Sequence, residues 1–321
     1  MSRNHIDHND IARFADERVN LKSEDAAELR EQVWRLRDRL EDYIKENPDF
    51  ELRKMLLSGS LAKGTALKSL NDIDVACYIS SDLAPRSISD LINWLADRLR
   101  TAFPNFKPEQ VKRNKFSVTV SFIGTGLRVD VVPILYSGDP DWKGKLMSQD
   151  TGEMLMTSIP MHLEFIRSRK KANEKHFAQV VRLIKFWAQQ RKQENEAFRF
   201  KSFMVELVVA HLGDRSLPLS DYPEALARIF SYIESDDFRT AIAFSDNYDP
   251  AHCKTTSEPI RIWDPVNRNN NVAKLYTKSQ KDTIVNAARD AGDAIDSALR
   301  APTKGETVRY WRKVFGPSLE A

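Results

Sequence analysis

The sequence predicts an α+β protein, with a sheet-bearing first half and a helical second half that meet near residue 150. Three observations lead there. An apolar strand run from Asp72 to Ile79 and a hairpin, in which Phe116, Val118, Val120 and Phe122 alternate with polar residues before Leu127–Val132 returns, give the first half its strands. After residue 150 the spacing turns helical, as in Phe177, Val180, Val181, Ile184 and Trp187. A long helical pattern over 23–47 precedes the first strand. The expected domains are 1–150, including the helix at 23–47, and 151–321.

Residues 1–22 are polar, with one short helix expected around Asp10–Phe14. From Ser23 onward, Leu29, Val33, Leu36, Leu40, Tyr43 and Ile44 fall at helical spacing up to the stop signal Asn47-Pro48. That is about six turns of amphipathic helix, whose charged outer face reads as solvated. Phe50–Leu57 reads as a lead-in to the turn at Gly59-Ser60, and 61–67 as a short helix. A strand follows from Asn71-Asp72 to Ile79. Ser87 caps a helix in which Ile88, Leu91, Ile92, Leu95 and Leu99 share a face. Then comes a hairpin: Phe116, Val118, Val120 and Phe122 alternate with polar residues, Gly124-Thr125-Gly126 turns the chain, and Leu127–Val132 returns until Pro133 ends it. In the second half, Ser158 and Pro160 start one helix, Phe177–Ala188 marks another, and Ser202 caps a third. Asp221–Ile233 and Thr277–Leu299 are further helices, Trp311 and Phe315 close the pattern, and Gly316-Pro317 starts a short tail.

Composition narrows the function classes. The chain has 321 residues, enough for two domains, and 49 basic against 46 acidic side chains give a net charge of +3. A dedicated duplex-binding protein carries a larger basic excess. Cys77 and Cys253 are far apart with no CxxC, so neither a disulfide framework nor a zinc module is expected. The N-terminal Met1-Ser2-Arg3-Asn4-His5 opens no apolar signal region, and no stretch approaches a membrane span, so a cytoplasmic protein is expected.

The chemistry is concentrated in Gly59–Val75, GSLAKGTALKSLNDIDV. Asp72 and Asp74 are one residue apart in a strand, so both carboxylates face one way. Like charges that close repel unless a cation neutralises them, and hard oxygen donors suit magnesium. Twelve residues before Asp72, the Gly59-Ser60 turn can present N–H groups and a hydroxyl to a phosphate. Asp130, between Val129 and Val131, projects from the face opposite those valines and supplies a third strand acid. Taken singly, DxD is common in turns and an acid at a hairpin edge is unremarkable. Together, these residues match what two-metal nucleotidyl transfer requires: carboxylates that hold two cations at a triphosphate and an attacking hydroxyl.

GSLAKGT, then NDIDV, then RVDVVP resembles the polymerase-beta-like nucleotidyltransferase superfamily. Within it the chain is similar to the cyclic oligonucleotide synthases of bacterial CBASS anti-phage signalling, relatives of animal cyclic GMP-AMP synthase and oligoadenylate synthase. Three features carry that similarity: the long helix before the GS turn, which resembles the family's spine helix, the RLIKFW helix, and WDPVNRNNNV. The resemblance implies a nucleotidyltransferase sheet domain packed on a C-terminal helical domain. It makes Gly59 and Ser60 triphosphate contacts and Asp72, Asp74 and Asp130 the ligands of two Mg2+ ions, for which Mn2+ can substitute. It matches Lys185 to a lysine that reaches the donor triphosphate, Ser202 to a phosphate contact and Phe203 to an aromatic that stacks on a base. The residues themselves leave other roles open: Lys185 can snorkel from a core-facing helix, Ser202 can be an N-cap, and Phe203 can be core.

The expected function is Mg2+-dependent condensation of nucleoside triphosphates, ATP among them, into a cyclic di- or trinucleotide messenger with release of pyrophosphate. The alternative is a linear synthase of the oligoadenylate type, or transfer to an RNA end or a small molecule. A regulatory protein partner is expected. Activation by nucleic acid is not, since the chain lacks the cysteine–histidine cluster of the animal synthase's zinc insertion.

Overall fold

A computed structural model describes residues 5–46, 52–70, 72–80, 84, 87–148 and 151–320. In chain order, helices α1 (His8–Phe14) and α2 (Ser23–Glu46) flank a π-helical segment, Ala15–Val19. Strand β1 (Leu52–Leu57), helix α3 (Gly59–Lys63), strand β2 (Asp72–Ser80) and helix α4 (Ile88–Ala102) follow. Then come β3 (Val111–Arg113), β4 (Val118–Phe122), β5 (Leu127–Tyr136), β6 (Gly144–Met147) and β7 (Met154–Thr157). The helices α5 (Ile159–Glu194), α6 (Ser202–Gly213), α7 (Tyr222–Asp236), α8 (Lys278–Arg300) and α9 (Lys304–Phe315) complete the chain. The mixed α+β class is as the sequence predicts.

The chain divides into two compact units, one of Leu21–Glu164 and one of Met1–Asn20 with Phe165–Ala321. The long helix α2 falls in the first, and the first twenty residues fall with the helical second half. The change of character expected at residue 150 comes later, because β6 and β7 extend the sheet to Thr157.

In the first unit the described strands run β1-β2-β5-β4-β3, with β6 on β5 and β7 on β6. The pair β2–β5 is parallel, and the others are antiparallel. One face of this sheet is apolar. Ile73, Val75, Cys77 and Ile79 of β2 and Val129 and Val131 of β5 pack in one core with Val33, Leu36 and Leu40 of α2 and Leu91, Leu95 and Leu99 of α4. The α4 positions are those that share its predicted face, and the Ser87 side chain caps this helix as expected. Burial raises the Cys77 thiol to about 12, so it behaves as a small apolar side chain.

Several local expectations are corrected. Leu52–Leu57 is a full strand against β2 rather than a lead-in. The helix expected at 61–67 starts at Gly59 and stops at Gly64, whose φ of 70° suits glycine. Pro133 does not end β5, which continues to Tyr136. It sits where β4 pairing has stopped at Val131 and β6 pairing begins only at Ile134, so its missing N–H is not called for on that edge. Lys201, not Ser202, is the N-cap of α6, and no side chain caps that helix. The helix stop at Asn47-Pro48 and the strand start at Asn71 lie outside the described residues.

The second unit is helical. The two helices expected at 158–188 form one stretch, α5, broken at Asn173 and Glu174, where Glu174 has a φ of 45°. Asp221, Thr277 and Thr303 cap α7, α8 and α9 with side-chain acceptors. Phe177, Trp187, Phe230, Trp311 and Phe315 are fully buried in this unit.

Candidate active site

The register of β2 and β5 brings the strand acids together. Asp74 pairs directly with Asp130, and Asp72 pairs with Arg128. With side chains alternating along each strand, Asp72, Asp74, Arg128 and Asp130 share the face opposite the apolar core. Three acids from two segments 56 positions apart thus lie on one patch.

Each acid has a distinct local anchor. The Ser58 N–H donates to the Asp74 carbonyl at 2.8 Å, which fastens the start of the Gly59-Ser60 turn to the strand. Gly59 has a φ of 64°, and a Cβ there would lie 2.0 Å from Asp74 Oδ2. Glycine is therefore required twice: for the left-handed backbone and for the close approach of turn to carboxylate. Ser60 is half-buried in the first turn of α3, and its carbonyl accepts from Thr65 N at 2.9 Å. Asp72 Oδ1 accepts from Arg128 Nε at 2.6 Å. Asp130 Oδ1 accepts from Thr119 Oγ1 at 2.5 Å, across the β4–β5 pair.

Negative charge is crowded around Asp74. Loss of hydrating water raises its carboxyl above the ordinary range, and the Asp130 and Asp72 carboxylates add to the rise while Lys63 opposes it. Solvent still reaches the side chain, so the strain is that of crowded like charges in a wet site, softened by screening. A divalent cation would relieve this repulsion, and the donors are the hard carboxylate oxygens that magnesium or manganese takes. The donor set therefore fits such a metal, although among the described residues no three acids close on a single point as the side chains stand. Asp72 is turned to Arg128 instead.

The remaining expected residues belong to the helical unit. Lys185 is buried, and its Nζ donates to Glu206 of α6 at 2.6 Å with both side chains under 5 % exposed. Its charge is neutralised within its own unit, which sequence reasoning did not foresee. Ser202 is exposed in the first turn of α6, and Phe203 beside it is half-exposed rather than core. Sequence reasoning also missed Arg128 and Thr119. The first was legible in principle, since Arg128 is two residues before Asp130 and must share its face. Thr119 needs the strand register, which spacing alone does not provide.

No protein-family model matches the chain. Among characterised proteins it is 58% identical over 320 residues to the cyclic AMP-AMP-AMP synthase of Escherichia coli (strain MS 115-1), covering 100% of both chains. It is 28% identical over 294 residues to the CBASS oligonucleotide cyclase CdnC of Escherichia coli (strain KTE188), covering 90% of each. Among solved structures, that of E. coli MS115-1 CdnC with ATP superposes with a TM-score of 0.95 at 58% identity, over 99% of this chain and 100% of that one. The same CdnC in complex with HORMA-deltaN matches with a TM-score of 0.95 at 57% identity over 100% of both chains. The Vibrio cholerae cyclic AMP-GMP synthase DncV, at 14% identity and a TM-score of 0.70 over 100% of this chain and 98% of that one, shares the fold.

Proposed function

The chain belongs to the CBASS oligonucleotide cyclases, nucleotidyltransferases of anti-phage defence, and we propose that it joins three molecules of ATP into cyclic AMP-AMP-AMP. The observation that carries this reading is the 58% identity over the full length of a relative with that activity. In each step a sugar hydroxyl oxygen forms a bond to the α-phosphorus of a 5′-triphosphate, which in the last step is the linear intermediate's own. The bond from that phosphorus to the bridging oxygen breaks, pyrophosphate departs, and the hydroxyl proton is lost. Two such steps extend the chain, and a third closes the ring.

Asp72, Asp74 and Asp130 would hold divalent cations, with Mg2+ the expected ion. When bound, such cations supply positive charge to the triphosphate oxygens and favour deprotonation of the hydroxyl. Gly59 and Ser60 would hold the triphosphate through backbone N–H groups and the Ser60 hydroxyl, with the turn kept in place by its bond to the Asp74 carbonyl. Ser202 is proposed to touch phosphate and Phe203 a base, as their exposure allows. The buried Lys185–Glu206 pair ties α5 to α6, so a phosphate role for Lys185 would require it to share its charge. The CdnC complex with HORMA-deltaN supports a regulatory protein partner of that kind. Among the described residues no helix is long and apolar enough to cross a membrane, and the cytoplasm is the proposed site of action.

Purified protein incubated with ATP and Mg2+, treated with phosphatase and analysed by mass spectrometry tests the reading. The expected product resists phosphatase and has the mass of three AMP units closed into a ring. A linear oligoadenylate, or a product that requires another nucleotide, would overturn it.

A further inference from the structure

The third acid is held by a hydroxyl for which strand packing gives no reason. Thr119 is opposite Asp130 in the β4–β5 register, and its Oγ1 donates to Asp130 Oδ1 at 2.5 Å. The same Oγ1 accepts from Asn114 Nδ2 at 2.7 Å. Asn114 is itself fixed in the turn between β3 and β4, where its backbone N–H donates to the Ser117 carbonyl at 2.8 Å and its Nδ2 also reaches Ser117 Oγ at 3.1 Å. A hydroxyl has one proton. With an amide donating into its oxygen, Thr119 directs that proton at Asp130. On the other face of β4, Val118 and Val120 are fully buried and carry the packing. A valine at 119 would keep the shape and the β-branching, so what the hydroxyl adds is the hydrogen-bonded link from Asn114 to Asp130.

We propose that Thr119, backed by Asn114, is a positioning residue for nucleotidyl transfer, fixing the Asp130 carboxylate for a divalent cation. The proposal rests on the reading of Asp130 as a metal ligand. It treats the Asn114–Thr119–Asp130 chain as the outer support of that ligand, in the way metal-binding side chains generally depend on hydrogen-bonding partners behind them.

Calorimetric titration of the nucleotide-free protein with Mn2+ alone tests it, using Thr119→Val, Thr119→Ser, Asn114→Ala and, as reference, Asp130→Asn. Removing such a support typically weakens metal binding by about 10-fold or more. Thr119→Val is expected to lose about that much Mn2+ affinity, and its kcat to fall while its KM for ATP stays near that of the parent. Thr119→Ser is expected to restore both, and Asn114→Ala to shift affinity in the same direction by less. If Asp130→Asn weakens Mn2+ binding but Thr119→Val and Asn114→Ala bind as the parent does, the proposal is overturned and the reading of Asp130 stands. If Asp130→Asn itself binds Mn2+ unchanged, Asp130 is no ligand and the proposal falls with that reading. Should melting show that Thr119→Val does not fold, Asn114→Ala decides: parent-like affinity overturns the proposal, and reduced affinity supports it.

Discussion

The two faces of strands β2 and β5 make an instructive pair. On one, Ile73, Val75, Cys77, Ile79, Val129 and Val131 are each 0–1% exposed beneath α2 and α4. On the other, one residue away at every step, lie Asp72, Asp74 and Asp130, which crowd like charges together. The same backbone hydrogen bonds serve both. At the N-terminal end of β2 the odd positions build the core and the even ones carry the acids, whereas further along Ala76 and Tyr78 bury the second face too, so a register slip by one residue would put Asp72 and Asp74 into the core. The apolar face is therefore what fixes the carboxylates in place, and their crowding raises the Asp74 carboxyl.

If the faces divide labour in this way, substitutions on each should have effects of opposite kind. The largest belongs to the acidic face. Asp130→Asn or Asp74→Asn removes an expected cation ligand, a loss of several kcal/mol of transition-state stabilisation, and product formation from ATP should fall by roughly 10³-fold while far-UV circular dichroism stays unchanged. The next belongs to the core. Val131→Ala deletes two fully buried methyl groups and should destabilise the sheet unit by about 2–3 kcal/mol, read by denaturant unfolding, with turnover per folded molecule retained. The smallest concerns Arg128. Its pair with Asp72 is exposed at 52% and 42%, and such surface pairs contribute under about 1 kcal/mol. Arg128→Gln should barely move the melting temperature and should tighten Mn2+ binding roughly threefold, because an internal cation no longer occupies Asp72. A marked loss of stability there would blur the division between the faces.

Much of this was legible from residue order. Alternation placed Asp72, Asp74 and Asp130 on the face away from their valines, and helical spacing picked out the apolar stripes of α2 and α4 correctly. What escaped detection has physical causes. Leu52–Leu57, reading LRKMLL, has no clean two-residue period, so its strand emerges only from pairing with β2. The strands β6 and β7 have four residues each, too short for a pattern to stand out. Pro133 is tolerated because of what its neighbours do not ask of it, a property of the sheet rather than of the residue. Glu206 meets Lys185 from a different helix, and Thr119 meets Asp130 through a register. Both contacts depend on tertiary structure. The grouping of the first twenty residues with the helical unit is likewise invisible to local spacing.

The clash of carboxylates can be measured directly by melting the parent and Asp74→Asn in EDTA across a pH series, then again with Mg2+. The Asp74 carboxyl is raised in the fold, so the folded state takes up its proton more readily than the unfolded chain does, and the stability it withholds grows as pH rises above the ordinary carboxylate range. Near neutral pH without metal, Asp74→Asn should therefore melt above the parent, the gap closing as pH falls, and Mg2+ should lift the parent far more than the variant. A variant that melts below the parent in EDTA, and that gains as much from Mg2+, would contradict the account.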